Sequence, residues 1–482
     1  MLYNENHLEC ILNAWIIGKK GSVTEPMKGE EQNLSRGLKP RHLQLLALGG
    51  IIGSGYFLGT GYVLEQAGPA AILSYLFGGL IVLCVMLCLG ELAVARPVAS
   101  SFIGYAREHI SPVWACGVGW AYWMTWIAYV PSEMIAGGII MNTFVPEVSQ
   151  VTWAVLLGLL VTAINLFQVD KFGETEFWLS IIKISALIMF VVIAAAVMLG
   201  LTGEEFIGSS ILLGSGGFTP NGYTIVLLTM VMILVNFQGT EIIGLAAGEC
   251  KNPEKSIPMA VRNVTWRIIA LYIIPISLLI SIYPWTEATL SESVFAAALN
   301  AHGFHWAGST FAFVVLTAAI SCSNSGLYGC VRALFALGCE GMAPKAMGKL
   351  DRNYVPRNAV LASNAGCWVI IGLYTLDASE MAYTYLLALS GFAGAMAWIS
   401  ICWSQYNSRK KLRQQGLEHT LKYKTPFFPY VTLFGIWSQV ICLVVMAFLD
   451  DLRVSLMIGL PTLFGPMIWY HFKQKKEKQR AR

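Results

Sequence analysis

The chain has 482 residues, of which 56% are hydrophobic and only 12% charged, and its formal net charge is +4. That charged share is about half that of a soluble chain, and twelve uninterrupted runs of at least 18 positions lack Lys, Arg, Asp and Glu. Each run supplies roughly the 20 residues that cross a bilayer's hydrocarbon core as a helix, which excludes a soluble globular enzyme and predicts an all-α polytopic membrane protein.

Residues 1–41 read as a cytoplasmic N-terminal segment. The stretch Leu8–Ile17 is short, contains Glu9 and lacks a basic leader, so it does not resemble a cleavable signal. It also differs from the polar, basic residues after it, and the expectation is that translation begins at Met27. The predicted spans then follow at 42–63, 69–94, 113–144, 151–168, 177–200, 221–247, 263–285, 307–338, 356–376, 380–403, 427–448 and 452–472. The odd-numbered connections 64–68, 145–150, 201–220, 286–306 and 377–379 hold no Lys or Arg, whereas the even-numbered ones carry Arg96, Arg107, Lys171, Lys251, Lys345, Arg409 and others. By the positive-inside rule the basic connections and both termini face the cytoplasm. Both the connection 407–426 and the tail 473–482 are strongly basic. The excess charge is therefore a topology signal and not a nucleic-acid footprint.

The first span contains Gly49, Gly50, Gly53, Gly55, Gly59 and Gly61. Two readings are open: close helix packing through small residues, or a discontinuous helix whose second half aims free N–H groups and a positive dipole end at a carboxylate while nearby carbonyls take an ammonium. The third span carries Pro131, which predicts a kink, and Glu133, which is either a structural partner or a cavity-facing acid that would favour a cationic side chain. In the fifth span, Lys183 either snorkels to the cytoplasmic face or points inward as a movable proton or fixed charge. The sixth span is interrupted by Asn236, Gln238, Gly239, Thr240 and Glu241; an ionisable residue there must be paired, protonated or solvent-lined. Breaks in spans one and six occupy equivalent positions of two five-helix halves, a pattern that points to an inverted-repeat transporter with its site at the repeat interface.

Eleven cysteines include no CxxC pair and none in the outer loops, so they read as small buried hydrophobes, neither a metal site nor a disulfide framework. None of the seven histidines lies mid-span. No Walker loop, metal cluster or nucleophile–base–acid arrangement emerges, so the expectation is no enzyme, no cofactor and no metal.

In order and spacing, several motifs resemble the amino acid permease family of the amino acid–polyamine–organocation superfamily. They are Leu34-Ser35-Arg36-Gly37-Leu38-Lys39 with Gly49-Gly50-Ile51-Ile52-Gly53-Ser54-Gly55, Gly90-Glu91-Leu92-Ala93, Gly119-Trp120-Ala121-Tyr122-Trp123 and Phe237-Gln238-Gly239-Thr240-Glu241. Asn324-Ser325-Gly326 and Leu389-Ser390-Gly391-Phe392-Ala393-Gly394 complete the set. The resemblance implies 12 transmembrane helices in a LeuT-like five-plus-five inverted repeat, residues 42–203 and 204–406, with two additional C-terminal helices in 427–472. It implies a plasma-membrane secondary transporter that imports free L-amino acids with a coupling proton, without an obligate protein partner; membrane lipid surrounds it. The alternatives are a sodium-coupled or exchange-mode carrier, or an amino-acid sensor built on the transporter fold. Carried over by position, the substrate carboxylate meets the backbone at Ser54 and Gly55 and the Ser54 hydroxyl. Its ammonium meets carbonyls around Ile51, Ile52 and Phe237, beside Gly239, and Phe237 is an aromatic lid. Lys183 falls where sodium-coupled relatives hold an ion, its amine bridging the first and eighth spans, and is the proton-coupling candidate together with Glu241. The latter alternatively only braces the broken helix. Specificity rests on spans three, six, eight and ten, with Glu133 as the candidate. The lack of further acids favours a neutral, aliphatic side chain.

Overall fold

In a computed structural model, residues 52–98, 100–167, 172–203, 216–246, 253–289, 293–352, 355–376, 382–448 and 450–480 are described, along with 206, 211 and 214. The readings made on residues 1–51, including Ile51 and the start at Met27, lie outside them.

The described residues are helical almost throughout. The first helical stretch is broken into α1 (Ser54–Phe57) and α2 (Gly59–Ala67), then runs into α3 (Ala71–Ala95). A short helix α4 (Ser101–His109) leads to α5 (Pro112–Phe144), α6 (Gln150–Phe167) and α7 (Phe172–Met198). The next stretch is again broken, into α8 (Thr224–Val235) and α9 (Ile242–Ala246). Beyond it α10 (Pro253–Ile268) continues through a π segment, Ile269–Ile273, into α11 (Ile274–Ile282). The remainder comprises α12 (Val294–Ala301), α13 (Ala307–Cys339), α14 (Arg357–Leu376), α15 (Ala382–Gln414), α16 (Tyr430–Met446) and α17 (Asp450–Arg480).

Seven stretches among the described residues are long and apolar enough to cross a membrane, and the first, Ser54–Ala95, joins the first two predicted spans. Shorter apolar helices, Gln150–Asn165, Thr224–Val235 and Tyr430–Met446, coincide with the fourth, sixth and eleventh. The chain is thus an all-α, multi-pass membrane protein. Pro131 does not interrupt α5, which runs helical on both sides of it.

Burial separates the centre of the bundle from its rim. The apolar windows of α5 and α15 are both 83% buried, against 33% in α7 and 39% in α14. Accordingly α5 packs along α13, α15, α6 and α17. Outward-facing Trp178, Val192, Val369, Leu373, Trp437 and Ile468 are exposed, an apolar surface that suits hydrocarbon and not water. Sequence reading overlooked α12, in the loop after α11. Its Phe295 lies against Tyr56, Phe57, Phe190 and Phe311, so the loop is packed down onto the first broken helix.

Where the even-numbered connections meet, Glu91 at the end of α3 and Arg409 on α15 form a buried ion pair. Glu91 also accepts from Gln405 Nε2 at 3.0 Å and Thr425 N at 2.6 Å, while Arg409 reaches Glu418 at 2.7 Å and stacks over Phe428. A charge removed from water is tolerable here because each partner's remaining hydrogen-bonding groups are met.

Candidate functional site

The site is built where the two broken stretches meet. Gly53 is extended, with φ −105° and ψ −171°, and helix α1 begins at Ser54. A side chain at Gly53 is excluded: its Cβ would lie 2.4 Å from the Tyr129 hydroxyl, 2.6 Å from Glu133 Oε1 and 3.1 Å from Cys322 Sγ. Gly55 meets the other break directly, a Cβ there falling 2.7 Å from Asn236 Oδ1.

The Ser54 backbone N–H, one of the donors a helix start leaves without an internal partner, donates to both carboxylate oxygens of Glu133, at 3.2 and 3.1 Å. The Ser54 hydroxyl lies 3.3 Å from the hydroxyl of Tyr383 on α15. Glu133 is wholly buried. It therefore sits on the very donor that the resemblance assigns to substrate.

The second break spans residues 236–241 between α8 and α9. Gly239 takes φ +103°, a left-handed conformation that glycine adopts without steric cost. Glu241 folds back on this turn and accepts from the Gly239 N–H at 3.1 Å; it also accepts from Tyr122 of α5 at 2.8 Å and Trp398 of α15 at 2.9 Å. The carboxylate thus braces the break against two neighbouring helices. Gln238 donates to the Ser390 carbonyl at 3.1 Å and accepts from the Ser390 hydroxyl at 2.9 Å. Phe237 faces the other way: its ring lies 4.5 Å from that of Tyr272 and 6.4 Å from that of Tyr75. Asn236 ties the same cluster together, its side-chain amide donating to Tyr75 at 3.2 Å and its backbone carbonyl accepting from Tyr272 at 2.9 Å.

Lys183 does not snorkel. It is fully buried on α7, and its ammonium donates to Ser321 of α13 at 2.8 Å and approaches Cys322 Sγ at 3.9 Å. Ser321 in turn donates to Glu176, seven residues before Lys183 and equally buried.

The structure therefore brings Ser54, Gly55, Glu133 and Asn236 together, sets Phe237, Gly239 and Glu241 on the second break, and joins Lys183 to the eighth predicted span. Ile52 is buried immediately before α1; Ile51 lies outside the described residues. Tyr383, Trp398, Ser321 and Glu176 were not singled out from sequence. Tyr383 and Trp398 look like ordinary aromatic core residues in an apolar run, but Glu176 carried a signal in its spacing from Lys183. Among the described residues no group of three or more His, Cys, Asp or Glu is arranged to hold a metal.

Residues 42–481 match the Amino acid permease family. The chain belongs to it. Amino-acid permease RocC of Bacillus subtilis (strain 168) is 38% identical over 458 residues, covering 93% of this chain and 97% of that protein. The lysine-specific permease LysP of Escherichia coli (strain K12) is 35% identical, covering 94% of this chain and 96% of its own length. The gamma-aminobutyric acid permease of B. subtilis is likewise 35% identical, over 94% of this chain and 97% of itself. Among solved structures, a mutant manganese transporter of Eremococcus coleocola superposes with a TM-score of 0.57 at 14% identity, covering 95% of this chain and 99% of that one, a likeness of fold alone. The chain is a multi-pass plasma-membrane permease surrounded by lipid, not an enzyme.

Proposed function

We propose that the protein imports free L-amino acids by secondary active transport, using proton symport and alternating access. Membership of the amino acid permease family over nearly the whole chain carries this reading. The finer architecture is part of the proposal: twelve spans, with residues 42–203 and 204–406 as inverted repeats, 427–472 as additional helices, and both termini cytoplasmic. It is supported by the two broken stretches, which occupy the first and sixth positions and touch at Gly55 and Asn236, and by the basic even-numbered connections.

In this reading the substrate carboxylate binds the N–H groups at Ser54 and Gly55 and the Ser54 hydroxyl. Carbonyls of Ile51, Ile52 and Phe237, beside the turn at Gly239, take the ammonium. The positive end of α1 favours the first interaction. Glu133 holds that donor when substrate is absent. Two carboxylates cannot share one N–H in a low-dielectric interior without strong repulsion, so an arriving amino acid displaces Glu133. The lid role of Phe237 requires its ring to leave Tyr75 and Tyr272 and turn over the substrate. Lys183 carries the coupling proton, while Glu241, already holding three donors, braces the break.

The relatives named for lysine and gamma-aminobutyric acid take molecules of different charge, so their names select no side chain for this protein. A neutral, aliphatic side chain, as expected from the sequence, is part of the proposal. Purified protein in proteoliposomes, offered each common amino acid under separate proton and sodium gradients, tests the reading. Accumulation driven by the proton gradient alone is expected. Binding without accumulation would instead indicate a sensor or exchanger, and no binding of any amino acid overturns the substrate class.

A further inference from the structure

Among the described residues, Lys183 and Glu176 are buried charges of α7, and they are seven residues apart, about two turns and ~10 Å along one face. Helical side chains lean toward the N-terminus, so the long lysine reaches back toward the acid. The two are joined through a third group. Lys183 Nζ donates to Ser321 Oγ at 2.8 Å, and the Ser321 hydroxyl donates its own hydrogen to Glu176 Oε1. The donors point one way along the whole chain, from ammonium to carboxylate.

The surroundings make this more than an ion pair. Glu176 Oε2 is buried and has no hydrogen-bond partner among the described residues. On α13, Asn324 and Ser325 flank the carboxylate, with Asn324 held by Asn165 of α6 at 3.1 Å. Cys322 lies among Lys183, Glu133 and Glu176, and the Glu133–Tyr129 face of α5 closes the far side against Gly53. Among the described residues, Glu133 from α5 is a charged group facing the pair, and Cys322 and Tyr129 are titratable neighbours. Glu176 lies near the N-terminal end of α7, the end on the proposed cytoplasmic side.

We propose that Glu176 is the acceptor that takes the coupling proton from Lys183 through the Ser321 hydroxyl and passes it to the cytoplasm. In the transfer an N–H bond of the Lys183 ammonium breaks as an O–H bond forms on Ser321. The original Ser321 hydrogen moves to Glu176 Oε1. One proton has shifted from ammonium to carboxylate, leaving an amine and a carboxylic acid. The pair sums to zero charge before and after this transfer; when Glu176 then releases the proton to the cytoplasm the pair is left at −1, a cost in the membrane interior that is removed only when Lys183 is protonated again. Because Ser321 belongs to α13 and its two partners to α7, sliding of one helix against the other makes or breaks the path. The inference rests on the reading of Lys183 as the coupling residue.

The test uses the full chain in proteoliposomes, with the twenty common L-amino acids as a labelled mixture and internal pyranine to report proton entry. Glu176→Gln and Ser321→Ala should lose at least about tenfold of gradient-driven uptake and of amino-acid-driven proton entry. Counterflow at equal pH, which moves no net proton, should still proceed in both. Ser321→Thr, which keeps a hydroxyl, should restore the coupled signal. If Glu176→Gln does not fold, Ser321→Ala and Ser321→Thr decide alone, since they leave both charges in place. Gradient acceleration preserved in Ser321→Ala, or in Glu176→Gln, while Lys183→Ala loses it, overturns the relay and leaves the role of Lys183 standing. Acceleration preserved in Lys183→Ala itself overturns that role and the relay with it.

Discussion

Both carboxylate oxygens of Glu133 rest on the backbone N–H of Ser54, at 3.2 and 3.1 Å. The acid comes from the middle of α5 and caps a helix start 79 residues earlier in the chain. Such a contact is charge-assisted, worth ~1.5–3 kcal/mol when both groups are shielded from water. A substrate carboxylate that needs the same donor must first overcome it.

Glu133→Ala should therefore tighten binding of neutral amino acids by about tenfold, the equivalent of ~1.4 kcal/mol. Calorimetric titration of purified protein measures this. Weaker binding in the variant would mean that Glu133 is itself a ligand of the substrate and not its competitor. Gradient-driven uptake should fall even as affinity rises, because an empty carrier that has lost its cap at Ser54 returns less readily.

Glu241 makes a different kind of contact, holding the Gly239 turn to Tyr122 and Trp398. Tyr122→Phe deletes one donor and leaves the carboxylate with two. Thermal unfolding in detergent should show a loss of ~1–3 kcal/mol, with uptake reduced in proportion to folded protein. Glu241→Gln should cost more, since an amide cannot accept all three bonds. A Glu241→Gln variant with full stability and abolished proton coupling would reverse the assignment of brace and proton carrier.

A surface prediction follows from Glu418. The Arg413 guanidinium, aided by Arg409, holds its carboxyl below the usual carboxylate range. A depressed folded value stabilises the protein fully above the unfolded value of about 4.3, and that contribution is lost as pH falls through the lower folded value. Glu418→Gln should thus lower the unfolding midpoint slightly at pH 7, and the difference from the parent should shrink as pH falls below the unfolded value and vanish once it is below the folded one. Because Glu418 is partly exposed, the effect should also shrink in high salt. A gap that persists in acid would mean the side chain acts by packing.

What could be read ahead of the structure divides along physical lines. Long apolar stretches declare themselves because hydrocarbon tolerates little else, and the helix start at Ser54 and the break at Asn236–Glu241 fall where glycine and polar groups are costly within a span. The orientation of Lys183 was not legible, since a flexible side chain about two turns into its predicted span reaches either water or a partner. Its partner Ser321 lies 138 positions away, and nothing local announces it. Glu176 stands close to Glu174 and Lys171 in the sequence, and nothing local announces that it is buried. The seat of Glu133 on Ser54 joins two residues that were each singled out, but for different roles.

The motif Asn324-Ser325-Gly326 has a packing reason that can be tested apart from transport. In α13 a Cβ at Gly326 would lie 2.4 and 2.8 Å from two ring carbons of Trp126, a rigid indole buried on α5. The indole cannot yield as the tip of a flexible chain would, so Gly326→Ala should destabilise by ~1–3 kcal/mol through overpacking. It should also push α13 away from α5, displacing Ser321 and Cys322 one turn along the same helix. Trp126→Leu removes the ring, and in the double variant Gly326→Ala should be far less harmful than alone. Thermal unfolding of the two single variants and the double variant gives the coupling between them. Purely additive losses would show that the small residue serves something other than the Trp126 contact.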